Sequence, residues 1–359
     1  LLLAPEPITE KPLNLTQRTS DTLVYKKIDR SCLLKDEQQL KQLFGLLVIA
    51  HYQTRPSDLL HILDAQALSI HTVFRGDQII AAAIVSHEGG FDPALAMAVY
   101  RGERRPKGHL VPQILLSQVG LLEAASLTTD RIMRIATHPS YRRQQVASYL
   151  LQAIAAQSAS DYLSTSFGLS GTLFSFWQQA MFTPVYLGMK REASSGYHSA
   201  VFLHALTQSG EALLHASSQS FARNLIAQLA DSLKDYDAEI TSNLLAAVAQ
   251  PPTTLCPQEI RDIQRFSRAQ CGLDSATAAL QRWLPKALAE NKQKLQNKEA
   301  KLLIMRILQH HNWSHCCKML GLPSKQIAQH TLQAATATLA EGLAVGTDAS
   351  MEGLTSIKD

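Results

Sequence analysis

The chain has 359 residues, 46% of them hydrophobic and 18% charged, and carries a formal net charge of +4. That length suggests two domains, each with enough apolar material for a core. The densest apolar run, LFGLLVIA at 43–50, is far short of the roughly 20 residues that span a bilayer, so no membrane partner is expected. Five scattered cysteines without a C-x-x-C pair argue against a disulfide framework or a zinc ribbon and favour a reducing cytoplasm.

Residues 1–35 are Pro-rich and irregular, with one short β-prone run, TLVYKKI, and read as a linker or the tail of an upstream domain. The opening LLLAPEPITEKP has neither an initiator Met nor a basic n-region, so a fragment of a longer chain is expected rather than a signal peptide. From residue 36 the apolar spacing predicts two short helices. SIHTVFRGDQIIAAAIVSHEG then predicts a hairpin turning at Arg75-Gly76-Asp77. A loop containing ERRPKGHL leads to a helix over VPQILLSQVGLLEAA. RIMRIAT, YLSTSFGL, TPVYLGMK and HSAVFLHAL read as strands, with helices over QVASYLLQAIAAQSA and TLFSFWQQAMF between them. This order predicts an α+β domain over 36–208, a mixed sheet with helices on both faces. Beyond 208 only helical periodicity is found, so 209–345 is expected to be an all-α domain and 346–359 a disordered tail.

Charge is uneven. Between 251 and 330 twelve Lys/Arg face five Asp/Glu, a footprint that suits a nucleic-acid partner. No G-x-x-x-x-G-K-[ST] loop is present, so no ATP site is expected in this chain. HHNWSHCC at 310–317 offers His311 and His315 four apart, but adjacent cysteines diverge on a helix. A buried turn packed on Trp313 is the preferred reading there, and no metal is expected.

The stretch RIATHPSYRRQQVASYLL, 134–151, has the layout of an anion site between a strand end and a helix start. Helix N–H groups and the charges of Arg142 and Arg143 would face a diphosphate. The element order and this turn resemble the GNAT acetyltransferases, whose signature is Q/R-x-x-G-x-G/A. Arg142 and Ala147 agree with it, whereas Gln145 stands at the central glycine. A wider set of motifs, AHYQTRPSDLLHILDA, RRPKGHLVPQ, RIATHP, SFGLSGTLFSFWQQAMF and GMKREASSGYHSA, is similar to the tRNA(Met) cytidine acetyltransferase family.

That resemblance implies a GNAT domain, acetyl-CoA as cofactor, tRNA as partner and transfer of acetyl to N4 of a cytidine, at the wobble position of elongator tRNA(Met). It also implies a helicase-like ATPase module, upstream or separately encoded. Ile135, Ala136 and Thr137 would hold the pantetheine arm and polarise the thioester. Arg142, Arg143, Gln144, Gln145, Val146, Ala147 and Ser148 would hold the pyrophosphate. Thr172 and Gln179 stand where the family carries a Glu and an Arg cofactor contact. His138 and His109 are the candidates for general base. Arg104, Arg105, Lys107, Arg265, Arg268, Lys292, Lys294 and Lys298 are the expected RNA contacts. Two readings stay open: an RNA cytidine acetyltransferase, or an RNA-binding module whose GNAT fold has lost acetyl-CoA binding.

Overall fold

A computed structural model describes residues 22–50, 62–193, 195–248, 250–251 and 253–343, excluding the side chains of 49 and 50. Most of AHYQTRPSDLLHILDA, Ser194 and the tail from 346 lie outside the described residues, as does most of the segment read as a linker. The chain divides into two compact units. One runs up to Gly168 and includes Ser175–Tyr186 and Ser199–Ser217; the other comprises Leu169–Phe174, Leu187–His198 and the chain from Ser218 onward.

The sheet has seven strands: β1 (Leu23–Ile28), β2 (Leu68–Arg75), β3 (Gln78–Gly89), β4 (Thr128–Thr137), β5 (Tyr162–Gly168), β6 (Thr183–Arg191) and β7 (His198–Ala205), in the order β1-β2-β3-β4-β5-β7-β6. Neighbours are antiparallel from β1 through β4 and between β5 and β7, whereas β4 and β5 are parallel. A parallel pair needs a crossover, and α5 (Val146–Gln157) supplies it. β1 is the TLVYKKI run, so the sheet begins inside the segment read as a linker. Two lysines on this edge, Lys26 and Lys27, discourage further strand pairing.

β3 is buried on both faces, as a strand covered by helices must be. On one face Ala82 and Ile84 meet Leu43 and Leu47 of α2 (Glu37–Ala50), which follows the one-turn helix α1 (Arg30–Leu33). α5 turns Val146, Leu150, Leu151 and Ile154 inward, an apolar stripe at helical spacing. Two expectations fail locally. FDPALAMAVY carries an unforeseen helix, α3 (Pro93–Tyr100), started by Asp92, whose carboxylate accepts from the N–H groups of Ala94 and Leu95. The single helix expected over 111–125 is broken: α4 (Leu110–Ile114) passes into a π turn at 115–119, stops at Gly120 with φ 79, and gives way to a 3₁₀ turn at 122–125.

His71 of β2 is a buried imidazole with both nitrogens engaged, Nδ1 with the Tyr25 hydroxyl at 2.6 Å and Nε2 with Ser69 Oγ at 2.8 Å. Burial lowers its pKa to about 4, with Lys27 adding to the effect. The unfolded chain therefore binds a proton at His71 between the ordinary His value and pH 4, and the native state does not. Stability is expected to fall as pH drops through that window, by on the order of 3 kcal/mol. Urea unfolding at pH 7 and pH 4.5, compared with His71→Gln, measures this; the variant's stability curve should be flatter with pH.

Past α6 (Gly171–Gln179) and the closing strands, α7 (Gln208–Leu229) leads into an all-helical region. It comprises α8 (Ala238–Ala247), α9 (Pro257–Ser267), α10 (Leu273–Asn291), α11 (Asn297–Leu303), α12 (Trp313–Leu320) and α13 (Lys325–Leu339). Side-chain caps from Asp237, Asn312 and Ser324 set three of the starts. In HHNWSHCC the turn is confined to 310–312, and α12 starts at Trp313 rather than continuing the turn: His311 Nε2 bonds the Lys234 carbonyl at 2.8 Å, and its ring stacks on His315 at 4.2 Å.

Candidate active site

β4 and β5 are paired only from Thr129↔Tyr162 to Ile132↔Thr165. Beyond that rung β4 continues on its β3 side, Ile135, Ala136 and Thr137 facing Ala83, Ala82 and Ala81, while β5 continues on its β7 side from Ser166. The register of β3 and β4 shifts at this point: Ile84 faces Arg134, Val85 faces Ile132, and Met133 is the extra residue of a bulge. A bulge bends its strand and raises the local twist. It therefore opens a gap between two parallel strands, with β4 backbone groups along its rim.

β4 leads directly into the turn that holds the remaining expected cofactor contacts. His138 extends the ladder through its N–H to the Ile80 carbonyl at 2.8 Å and caps a 3₁₀ turn over Pro139–Tyr141. Gln144 Nε2 closes the turn on the Ser140 carbonyl at 2.9 Å. Arg142, Arg143, Gln144 and Gln145 are exposed. Arg143 and Gln145 both have φ 60, in the left-handed region. Gln145 is the N-cap of α5 but makes no side-chain cap, so the first N–H groups of the helix, on Val146, Ala147 and Ser148, gain no partner from it. The backbone at 145 thus has the shape that glycine favours, although the residue is glutamine.

A left-handed non-glycine residue costs about 1–2 kcal/mol. Gln145→Gly should recover part of this, offset by the greater freedom of glycine in the unfolded chain, for a net gain of about 0.5–1 kcal/mol. Because the turn is already shaped, acetyl-CoA affinity should change by less than about threefold. Calorimetric titration and urea unfolding of the variant measure both; a tenfold gain in affinity would contradict a preformed turn.

The two candidate bases differ in how firmly they are held. His138 Nδ1 accepts from the Ser140 N–H at 3.3 Å, a long bond, and its ring meets Tyr141 edge-on at 5.7 Å. Burial lowers its pKa, and the nearby Arg142 lowers it further. His109 Nδ1 accepts from the Gly89 N–H at 2.9 Å, with its ring edge-on to Phe91 at 5.0 Å. Thr172 is the second residue of α6 and Gln179 its last; both are exposed.

One feature of this region had no signal in the sequence. Glu88, fully buried, accepts from Arg131 Nε at 2.6 Å with one oxygen and from the Val111 N–H at 3.1 Å with the other. The buried Tyr162 hydroxyl has no hydrogen-bond partner among the described residues. Burial pushes its pKa up, with Glu88 and Asp161 adding to the shift.

The expected RNA contacts fall in both units. Arg104, Arg105 and Lys107 are exposed on the loop after α3. In the helical unit several are already engaged: Arg265 lies 3.8 Å from Asp262, Lys294 3.7 Å from Glu341, and Lys298 3.5 Å from the Gly321 carbonyl. Lys292 bonds Asn243, and burial lowers its pKa. Arg268 is exposed at the end of α9.

Residues 42–157 and 142–207 match the GNAT acetyltransferase 2 family model. The first segment spans the hairpin, the bulged strand and the turn, and the second runs from the turn through the closing strands. Residues 42–207 have the GNAT fold. The tRNA(Met) cytidine acetyltransferase of Nitrosococcus halophilus is 36% identical over 85% of this chain and 42% of its own length. That of Vibrio cholerae is 33% identical over 90% and 44%, and that of Haloarcula marismortui 30% identical over 92% and 43%. The chain is a homologue of these enzymes, and spans less than half the length of each. Among solved structures, Drosophila melanogaster polyamine N-acetyltransferase is similar at 13% identity and a TM-score of 0.37, over 52% of this chain and 100% of its own. No helix among the described residues is long and apolar enough to cross a membrane.

Proposed function

We propose that this chain carries the acetyl-transfer half of a tRNA cytidine acetyltransferase, placing acetyl on N4 of a cytidine, with tRNA(Met) as the substrate that its relatives' names suggest. The observation that carries the reading is the parting of β4 from β5 after Ile132 and Thr165, directly before a turn in which Arg143 and Gln145 are left-handed and a helix begins. The residues fit acetyl-CoA: Val146, Ala147 and Ser148 offer N–H groups at a helix start, and Arg142 and Arg143 offer charge beside them. When bound, that cofactor supplies an activated acetyl group as a thioester.

Ile135 and Thr137, whose pairs alternate with the bonded rung of Ala136 on β3, offer backbone groups along the gap to orient the pantetheine arm and polarise the carbonyl. Cytosine N4 is uncharged near neutral pH, so the base has only to accept a proton as the new C–N bond forms and the thiolate departs. His138 is the better acceptor of the two histidines: its lone pair is held by a 3.3 Å bond against 2.9 Å at His109, and its lowered pKa keeps it unprotonated at pH 7. Arg104, Arg105, Lys107 and Arg268 are the cations offered to RNA phosphates. Any ATP-dependent step would belong to a module outside this chain, and free cysteines fit a cytoplasmic setting.

Nucleoside mass spectrometry of tRNA after incubation with acetyl-CoA and the protein tests the reading. N4-acetylcytidine is expected, and should be absent without cofactor. Retained tRNA binding with no acetyl-CoA binding would select the alternative, an RNA-binding module on a degenerate GNAT fold.

A further inference from the structure

The loop from Arg101 to Gly108, RGERRPKG, carries four cations and one acid, all exposed. None of Arg101, Arg104, Arg105 and Lys107 forms an ion pair among the described residues. Such a run would ordinarily be a mobile solvated segment, and ordering it against a partner would cost backbone entropy. Here both of its ends are fastened.

At the entry, the N–H groups of Glu103 and Arg104 both reach the Ala98 carbonyl, at 2.9 and 3.3 Å, and the Gly102 N–H reaches Val99 at 2.9 Å, folding the chain back on the end of α3. At the exit, Gln113 Nε2 donates to the Pro106 carbonyl at 2.5 Å and to the His109 carbonyl at 2.9 Å. His109 is fixed by the Gly89 N–H, and the next turn by Glu88, which accepts from the Val111 N–H. Gly102 and Gly108 have φ 76 and 82, so the reversals at both ends lie where glycine is favoured. Because His109 Nδ1 accepts, the ring proton of the neutral imidazole sits on Nε2. The Nδ1 lone pair is committed to the Gly89 amide at 2.9 Å, against 3.3 Å for the corresponding bond of His138, which makes His109 the weaker of the two as a general base.

We propose that Glu88, His109 and Gln113 form a clamp that presents Arg101, Arg104, Arg105 and Lys107 as a preorganised docking surface for the phosphate backbone of RNA, with His109 and Gln113 as positioning residues. This rests on the RNA reading above. Positioning residues and phosphate-binding cations differ in their salt signature. Loosening the clamp leaves every charge in place, so affinity falls while the dependence on salt persists. Removing the charges lowers the dependence itself, by about 0.7–0.9 in log–log slope for each phosphate no longer neutralised.

The test is tRNA binding followed by fluorescence anisotropy across a salt series, alongside calorimetric titration with acetyl-CoA. Gln113→Ala and His109→Ala are expected to weaken tRNA binding by about 3- to 30-fold with the slope unchanged. His109→Asn, whose amide oxygen can still accept from Gly89, should recover part of the loss. The triple variant Arg104→Ala/Arg105→Ala/Lys107→Ala should reduce the slope by about 2–3. Acetyl-CoA affinity should be unchanged throughout, which also reports that the fold is intact. If wild-type protein binds tRNA and the triple variant keeps its slope, the loop is not the docking surface. A loss of kcat in His109→Ala at full tRNA affinity would make it the base and overturn the clamp. Failure of the wild-type chain to bind tRNA would overturn the RNA reading itself.

Discussion

Arg131→Met is expected to destabilise the sheet unit by about 3–5 kcal/mol, because it leaves the Glu88 carboxylate buried without its counter-charge. Glu88 is wholly inaccessible and the Arg131 side chain is 12% exposed, so solvent cannot replace the missing partner. The Val111 N–H is the only other group bonded to that carboxylate among the described residues, and one amide does not neutralise a buried charge. A second change separates charge from packing. In Glu88→Gln/Arg131→Met the neutral amide still accepts from Val111, and most of the stability should return. Urea unfolding of the three proteins decides it. A single variant within 1 kcal/mol of wild type would show that the pair is hydrated rather than dry.

His138→Ala is expected to lower kcat by about 10²–10⁴, the usual range for a positioned acid–base group, with acetyl-CoA affinity unchanged. Burial, and after it the Arg142 charge, lower the His138 pKa, so the imidazole is neutral at pH 7. The direction of the pH effect follows: the wild-type rate should lose its base only below the ordinary His value of about 6.5, and the variant should lack that limb. Arg142→Ala removes the second cause and should move the limb upward. Single-turnover acetyl transfer from pH 5 to pH 8 measures all three. An unchanged profile in His138→Ala would transfer the role to another group.

Much of the fold was legible because its signals are local. The Gly76 hairpin, the strand–turn–helix at 131–157 and the run of amphipathic helices beyond 208 each follow from a period or a turn residue within one window. The TLVYKKI run reads as β-prone, but its place in the sheet does not show, for the same reason. The six residues of β1 contain two lysines, and what makes LVYKKI a strand is the neighbouring β2, more than forty residues away. The start of α3 is marked by Asp92-Pro93, but at eight residues the helix is too short for its period to stand out. The break at Gly120 lay inside an apolar stretch whose periodicity pointed to an unbroken helix.

The site was legible in its parts and not in its geometry. Sequence placed Ile135, Ala136 and Thr137 on a strand before a basic turn, but the gap depends on a bulge at Met133, whose side chain carries no mark of it. At Gln145 the residue type pointed away from a left-handed backbone, and the surrounding turn imposed one. Glu88 and Arg131 are 43 positions apart, and His109 and Gly89 are 20 apart; no window could join either pair.

Calorimetric titration of the chain with acetyl-CoA is the most direct test, because every proposed step depends on the gap between β4 and β5 holding that cofactor. Saturable one-site binding is predicted, weakened by Arg142→Ala/Arg143→Ala and nearly indifferent to Gln145→Gly. Absence of binding at millimolar acetyl-CoA, in a protein that still unfolds cooperatively, would contradict it.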